Sequence, residues 1–191
     1  PRLRDRNTVI SGRQSKNKVN CMSIALLLRR GACLLGMAAL LTACASPAGI
    51  QPGESGSAVT ARLGRPTLER PLPNGGQRLI YSSQPMGQYA WITDVGPDGK
   101  VIGTTQALTS ERFRMLDSGH WDTERLLFEF GPPAEITRVG LRGEQIVWGY
   151  RFREDGVWNS LMYVYVTDKG VVTRYHPGPD PLMEPRFQLG M

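Results

Sequence analysis

Cysteine is almost absent from this chain, and its few copies all lie near the N-terminus. Cys21, Cys33 and Cys44 are the only cysteines in 191 residues. The sequence after residue 44 therefore excludes a disulfide framework, a cysteine zinc site and a cysteine nucleophile. Histidine is nearly as scarce, with only His120 and His176. No histidines and carboxylates stand at metal-ligand spacing, so we expect neither a metal nor another cofactor.

The chain also lacks the short motifs of common enzyme active sites. It contains no Gly-x-Ser-x-Gly, no Ser-x-x-Lys, no P-loop and no dinucleotide-binding glycine run. One interpretation of His120 and Asp122 is a catalytic base and its orienting carboxylate. We favour the alternative, in which Asp122 or Thr123 caps a helix and Trp121 fixes that helix to the core, because adjacent side chains rarely point at one acceptor. The sequence therefore predicts a protein that is not an enzyme.

Excess positive charge is confined to the beginning of the chain. The net charge of +6 would by itself favour a nucleic-acid or membrane-surface partner. Residues 1–43, however, carry a net charge of +7, whereas residues 44–191 hold 15 basic and 16 acidic residues, a net charge of −1. We therefore expect no nucleic-acid partner.

Residues 22–44 have the pattern of a bacterial lipoprotein leader. Arg29 and Arg30 precede an apolar stretch of 11 residues, which is too short to cross a bilayer core of ~30 Å as a helix but suits a signal peptide. The stretch ends in Leu-Thr-Ala-Cys at residues 41–44, which resembles a lipobox. Cys44 is thus the predicted lipid attachment residue. Residues 1–43 are interpreted as upstream sequence and signal peptide, with Met22 as the expected start.

The residue after Cys44 bears on the destination of the lipoprotein. An aspartate there resembles the inner-membrane retention signal, whereas this chain has Ala45. We therefore expect a lipid anchor in the outer membrane, with the protein on the periplasmic face.

Two segments rich in glycine or proline frame the remaining chain. Residues 44–58 are small and nearly uncharged, and we expect a flexible tether that begins at the lipidated Cys44. Residues 177–191 are predicted to form an extended tail, because their prolines oppose regular structure.

One pattern occurs twice between these segments, at residues 59–107 and 108–176. Each copy has a short helix that ends at a Gly-x-Pro step, at residues 64–66 and 131–133. Alternating apolar strands and a glycine-containing hairpin follow, the hairpins at residues 98–99 and 168–170. The pattern predicts an α+β fold, a two-layer sandwich of short N-terminal helices packed on an antiparallel β-meander, with this unit repeated twice.

The second copy carries a family resemblance. A lipobox, a helix ending at Gly131-Pro-Pro133, an aromatic strand from Trp148 to Phe152 and an apolar strand at residues 161–166 together resemble the SmpA/OmlA (BamE-like) family of outer-membrane lipoproteins. The resemblance implies a non-enzymatic scaffold that binds envelope or outer-membrane assembly proteins. The tandem arrangement also resembles the β-lactamase inhibitor proteins, which implies the alternative of an inhibitor or ligand-binding module.

Several residues of the second copy are candidates for contact with a protein partner or with lipid headgroups: Trp158, Arg138, Arg151, Arg153 and Arg174. Trp158 follows a predicted turn, where a tryptophan either anchors an interface or folds back onto the sheet. Several of the arginines are expected on the sheet face away from the helices, where they can meet anionic headgroups or an acidic partner. The alternative is a solvated face on which nearby acids balance them: Glu135, Glu144, Glu154 and Asp155.

Overall fold

The described part of the chain contains three short α-helices. A computed structural model describes residues 46–141 and 145–183, so the predicted leader and Cys44 lie outside the described residues. The helices are α1 (Gly56–Leu63), α2 (Ser110–Phe113) and α3 (Thr123–Phe130). Single 3₁₀ turns lie at Pro47–Gly49 and Arg114–Asp117. None of the helices described is long and apolar enough to span a membrane.

Eight strands form two antiparallel sheets of four strands, each in sequence order. Sheet 1 consists of β1 (Leu68–Pro71), β2 (Gln77–Ser82), β3 (Ala90–Val95) and β4 (Val101–Gln106). Sheet 2 consists of β5 (Glu135–Val139), β6 (Gln145–Glu154), β7 (Trp158–Val166) and β8 (Val172–Pro179). The predicted α+β class with antiparallel meanders is confirmed at this level.

α1 and α3 end at the two predicted Gly-x-Pro steps. Gly64 has φ 82° and ψ −170°, and Gly131 has φ 78° and ψ −168°, a backbone region that is essentially restricted to glycine. A tyrosine of the following sheet donates a hydrogen bond to each glycine carbonyl. Tyr81 Oη donates to Gly64 and Tyr150 Oη to Gly131, both at 3.3 Å. These bonds fix the end of each helix against a strand.

The start of α3 follows the predicted capping interpretation. The Asp122 carboxylate accepts a hydrogen bond of 2.8 Å from the backbone N–H of Arg125, which satisfies one of the free donors in the first turn. Trp121 is buried, and its indole N–H donates to the Ser118 carbonyl at 2.9 Å. Asp122 therefore caps α3, and the neighbouring tryptophan anchors its start in the core.

The main hydrophobic core joins α3 to both sheets. It includes Ile80 and Ile92 of sheet 1, Leu126 and Phe130 of α3, and an apolar row of sheet 2: Trp148, Tyr150, Phe152, Met162 and Val164. On the opposite face of sheet 1, a smaller cluster places Val59 of α1 with other buried residues: Ile50, Leu79, Val95 and Val101. Because neighbouring residues of a strand point to opposite faces, Leu79 and Ile80 let sheet 1 contribute to both clusters.

A charged network also links sheet 1 to α3. The Arg78 guanidinium pairs with the Asp94 carboxylate at 2.7 Å and lies 4.1 Å from the centre of the Phe128 ring. It also donates to the Phe128 carbonyl at 3.1 Å and lies 3.4 Å from the Glu129 carboxylate, which pairs with Arg112 as well. The last turn of α3 therefore docks on sheet 1 through an aromatic ring and a carboxylate.

Two predicted boundaries differ from the structure. Within the predicted tether 44–58, α1 already begins at Gly56, and Ile50 is only 4% exposed because it packs in the smaller core cluster. Within the predicted tail 177–191, β8 continues to Pro179. Prolines are tolerated there because β8 is an edge strand, whose outward side needs no donor.

The two helix-ending glycines form a matched pair for measuring packing. Gly64→Ala is expected to lower the free energy of unfolding by about 1–3 kcal/mol, from backbone strain alone, since a Cβ there meets nothing within 4 Å. Gly131→Ala adds a Cβ 2.9 Å from Ile80 Cγ2, so we expect a further loss of about 1–3 kcal/mol. Urea unfolding of both variants measures the difference, and equal losses would contradict the tight contact between α3 and sheet 1.

Candidate functional site

Trp158 lies at the tip of the β6–β7 hairpin and is exposed. The turn at Asp155 and Gly156 uses positive φ values of 49° and 73°, which reverses the chain between the two strands. Trp158 begins β7 and is 69% exposed, and Val157 beside it is 63% exposed. Trp158 is therefore exposed and does not fold back onto the sheet, which was the other predicted alternative.

The β2–β3 loop of sheet 1 lies beside this hairpin. The Gln88 side chain donates to the Asn159 side chain at 2.9 Å, and the Gln84 side chain donates to the Arg151 carbonyl at 2.7 Å. The loop carries Met86, 68% exposed, and ends at Tyr89, also exposed. We call Met86, Tyr89, Val157 and Trp158 the hairpin-end surface.

Arg151 occupies a buried ionic cluster rather than a contact surface. It is only 3% exposed, and its guanidinium lies 3.2 Å from the fully buried Asp180 carboxylate and 3.3 Å from that of Glu135. It also donates to the Pro85 carbonyl at 2.9 Å. The prediction that Arg151 contacts a partner is therefore wrong, because its side chain is buried and its charge is paired within the fold.

The other candidate arginines are exposed but lie on different faces of sheet 2. Arg153 and Arg174 share the face of Arg151, as the pairs Arg153–Asn159 and Tyr165–Arg174 show. Arg138 pairs with Ile146 on the opposite face, and its guanidinium lies 3.7 Å from the exposed Asp168 carboxylate. The expectation of a shared face thus holds for Arg153 and Arg174 but not for Arg138.

An aromatic and cationic group lies on the outer face of sheet 2, which we define by Tyr163, Tyr165, Arg174 and His176. The His176 ring centre lies 5.4 Å from that of Tyr163 and 5.5 Å from that of Tyr165. The Arg174 guanidinium lies 3.7 Å from the centre of the Tyr165 ring, and it donates to the Gln145 side chain at 3.1 Å. Tyr165 Oη and His176 Nε2 are 3.1 Å apart.

The Tyr163 hydroxyl stays a proton donor to high pH. Partial burial, followed by the negative charges of Glu135 and Asp180, raises the pKa of Tyr163 above its ordinary value. The outer face therefore presents hydroxyl, imidazole and guanidinium groups. Sequence reasoning named Arg174 as a candidate contact residue but missed its ring neighbours Tyr163, Tyr165 and His176, although alternation in β7 placed both tyrosines on one face.

A shallow depression separates the hairpin-end surface from α2. It has a volume of about 380 Å³ and is lined by Tyr89, Ser110, Glu111, Arg153 and Asp155, among others. No group of three or more His, Cys, Asp or Glu within residues 46–141 and 145–183 is arranged to hold a metal ion.

The buried cluster predicts a large difference between two aspartates of the second half. Asp180→Ala leaves the Arg151 charge buried with Glu135 alone, and we expect a loss of about 3 kcal/mol in the free energy of unfolding. Asp168→Ala removes only an exposed partner of Arg138, with an expected loss below about 0.5 kcal/mol. Urea unfolding checks both values, and similar losses for the two variants would contradict the assigned role of Asp180.

Comparison with known proteins gives no relative from which a site could be transferred: no family model, no curated protein and no solved structure matches the chain.

Proposed function

We propose that this protein is a lipid-anchored, non-enzymatic scaffold that binds another protein of the bacterial envelope. The observation that carries the proposal is the hairpin-end surface. Exposed apolar side chains that lie together mark protein-binding surfaces, and a tryptophan at a loop tip is a frequent anchor of an interface. Two hydrogen-bonded loops from different sheets hold this surface in place, so little entropy is lost when a partner orders it.

We further propose that the domain consists of two copies of one helix-plus-sheet unit. α1 and α3 contain 8 residues each and end at glycines of nearly equal φ and ψ. The residue that precedes each helix forms an isolated bridge to the last hairpin of its sheet, in the pairs Ser55–Lys100 and Asp122–Val171. The bonds Tyr81–Gly64 and Tyr150–Gly131 also correspond. These parallels support the proposed duplication.

The stacking of the two units goes beyond a single two-layer sandwich. In the arrangement we propose, α1, sheet 1, α3 and sheet 2 follow one another as layers. The supporting contacts are those of Val59 with Leu79 on one face of sheet 1, of Phe128 with Arg78 on its other face, and of Phe130 with Tyr150 of sheet 2.

A periplasmic position at the outer membrane follows from the predicted lipobox. Acylation at Cys44 supplies the anchor, and more than one acyl chain is needed for stable attachment. The described fold begins within a few residues of Cys44, with Ile50 already in the core. A tether shorter than the sequence predicts keeps the domain close to the membrane surface.

The second candidate function is an inhibitor or ligand-binding module. The observation in its favour is that Met86 and Trp158 protrude from two neighbouring loops, a shape that can enter a cleft of another protein. The identity of the partner separates the two functions: a periplasmic hydrolase favours the inhibitor, and an outer-membrane assembly protein favours the scaffold.

The anchor is tested by replacing its cysteine. Cys44→Ser is expected to move the protein from the outer-membrane fraction to the soluble periplasmic or inner-membrane fractions and to abolish labelling by a radioactive fatty acid. Cys33→Ser, in the same leader, is the matched control and should behave as wild type. Unchanged fractionation of Cys44→Ser, with no lipid label on the wild type, would overturn the proposed localisation.

The hairpin-end surface is tested by photocrosslinking in cells. A photoreactive residue at position 158 should crosslink to one envelope protein, whereas the same residue at the exposed position of Leu141 should not. Trp158→Ala should weaken binding of that partner by about 2 kcal/mol, or roughly thirtyfold, and Leu141→Ala should leave it unchanged. Equal adducts at both positions, or none, together with normal outer-membrane protein levels in a deletion strain, would overturn the scaffold function.

A further inference from the structure

The outer face of sheet 2 is comparable to the face of sheet 1 that α3 covers. Tyr81 and Tyr150 make the same bond to a helix-ending glycine, so the residues before them, Ile80 and Gly149, correspond. Their cross-strand partners are Ile92 in sheet 1 and Tyr163 in sheet 2. Tyr163 and the rest of the outer face therefore lie on the face of sheet 2 that corresponds to the face of sheet 1 covered by α3.

The covered face of sheet 1 shows how such a face binds a segment. The docking residues are Phe128 and Glu129 at the end of α3, which bring a ring and a carboxylate to Arg78. On the outer face, the Arg174 guanidinium already lies over an aromatic ring, 3.7 Å from the centre of the Tyr165 ring. Among the residues that the structure describes, its bonded side-chain partner is the neutral amide of Gln145 rather than a carboxylate.

The charges of the outer face favour an acidic occupant. Glu135 lies on the same side of sheet 2 as the outer face, since it is paired with Gly149. Its carboxylate and that of Asp180 both lie within ion-pairing distance of Arg151. Arg174 is exposed, and its guanidinium has more N–H donors than its one hydrogen bond to the Gln145 side chain uses. Because guanidinium binds carboxylate more strongly than neutral acceptors, a carboxylate is the group that complements this face.

The arrangement of the rings disfavours a carbohydrate. Sugars stack on free aromatic faces, whereas the face of Tyr165 is covered by Arg174 and His176 packs within 5.5 Å of both tyrosine ring centres. The tyrosine rings therefore offer their hydroxyl groups rather than their faces, and hydroxyl groups suit hydrogen bonding to a peptide.

We infer that the outer face of sheet 2 binds an acidic segment of a partner protein, with Arg174 as its cationic contact and the hydroxyl groups of Tyr163 and Tyr165 as further hydrogen-bonding groups. This inference rests on the proposed function, because it adds a second contact surface to the same scaffold. The outer face differs in chemistry from the apolar hairpin-end surface, so the two surfaces bind different parts of a partner or two partners.

The test uses the purified full chain in detergent and a fluorescent glutamate-rich peptide, with a glutamine-rich peptide of the same length as a neutral probe. Anisotropy should show binding of the acidic peptide only, weakened by added salt. Arg174→Glu should weaken binding by about tenfold or more, and Arg174→Gln by less. Arg138→Glu, an exposed arginine on the opposite face of the same sheet, should change binding by less than about twofold.

Three outcomes would overturn the inference. They are wild-type affinity of Arg174→Glu with an unchanged circular dichroism spectrum, equal losses in Arg174→Glu and Arg138→Glu, and binding through Arg174 to phosphatidylglycerol vesicles without binding to the peptide. The last outcome would assign the face to lipid headgroups. Trp158→Ala should retain peptide binding, so loss of the envelope partner in that variant tests the scaffold separately from the outer face.

Discussion

The structure depends on the position of α3, an eight-residue helix that must serve two sheets at once. Leu126 and Phe130 pack with the apolar row of sheet 2. On the other side, Phe128 and Glu129 contact Arg78 of sheet 1. A helix this short gains little stability from its own backbone bonds, so it persists because both sides are covered. The two halves share one core for the same reason, and loss of packing in either half removes support from the other. Independent unfolding of the halves is therefore unfavourable.

Local chemistry explains which parts of the fold could be predicted from the sequence. Both helix ends follow from glycine followed by proline, and the start of α3 follows from an aspartate that can accept from the first turn. The aromatic residues of the predicted strand from Trp148 to Phe152 do lie in the main core. These features involve residues close together in the chain. The Arg151–Asp180 pair is different, because it joins β6 to the residue after β8. Neither residue carries a local signal of burial, and so the sequence predicted an exposed arginine and an unstructured proline-rich tail.

The polar outer face and the apolar hairpin-end surface have separate structural supports. The hairpin-end surface is held by side-chain amides of the β2–β3 loop, whereas the outer face is ordered by stacking between cross-strand neighbours in β7 and β8. Between them lies the Arg151 cluster, which connects β5, β6 and the segment after β8. This cluster contacts both the β2–β3 loop, through the Pro85 carbonyl, and the residue after β8, Asp180, so it links the supports of the two surfaces.

The corresponding faces of sheet 1 and sheet 2 carry different residues at two positions. The difference fits their surroundings, because α3 covers the face of sheet 1. On the proposed duplication, Ile80 and Ile92 of sheet 1 correspond to Gly149 and Tyr163 of sheet 2. The isoleucines are buried in the core that α3 shares with sheet 1, where branched apolar side chains are favoured. The same side chains on an open face would expose an apolar patch and favour aggregation. Gly149 instead leaves space for Glu135, whose Cγ lies 2.9 Å from the place of a Cβ, and that space brings the Glu135 carboxylate to Arg151. The small residue at position 149 thus leaves room on this side of sheet 2 for the ion pair between Glu135 and Arg151.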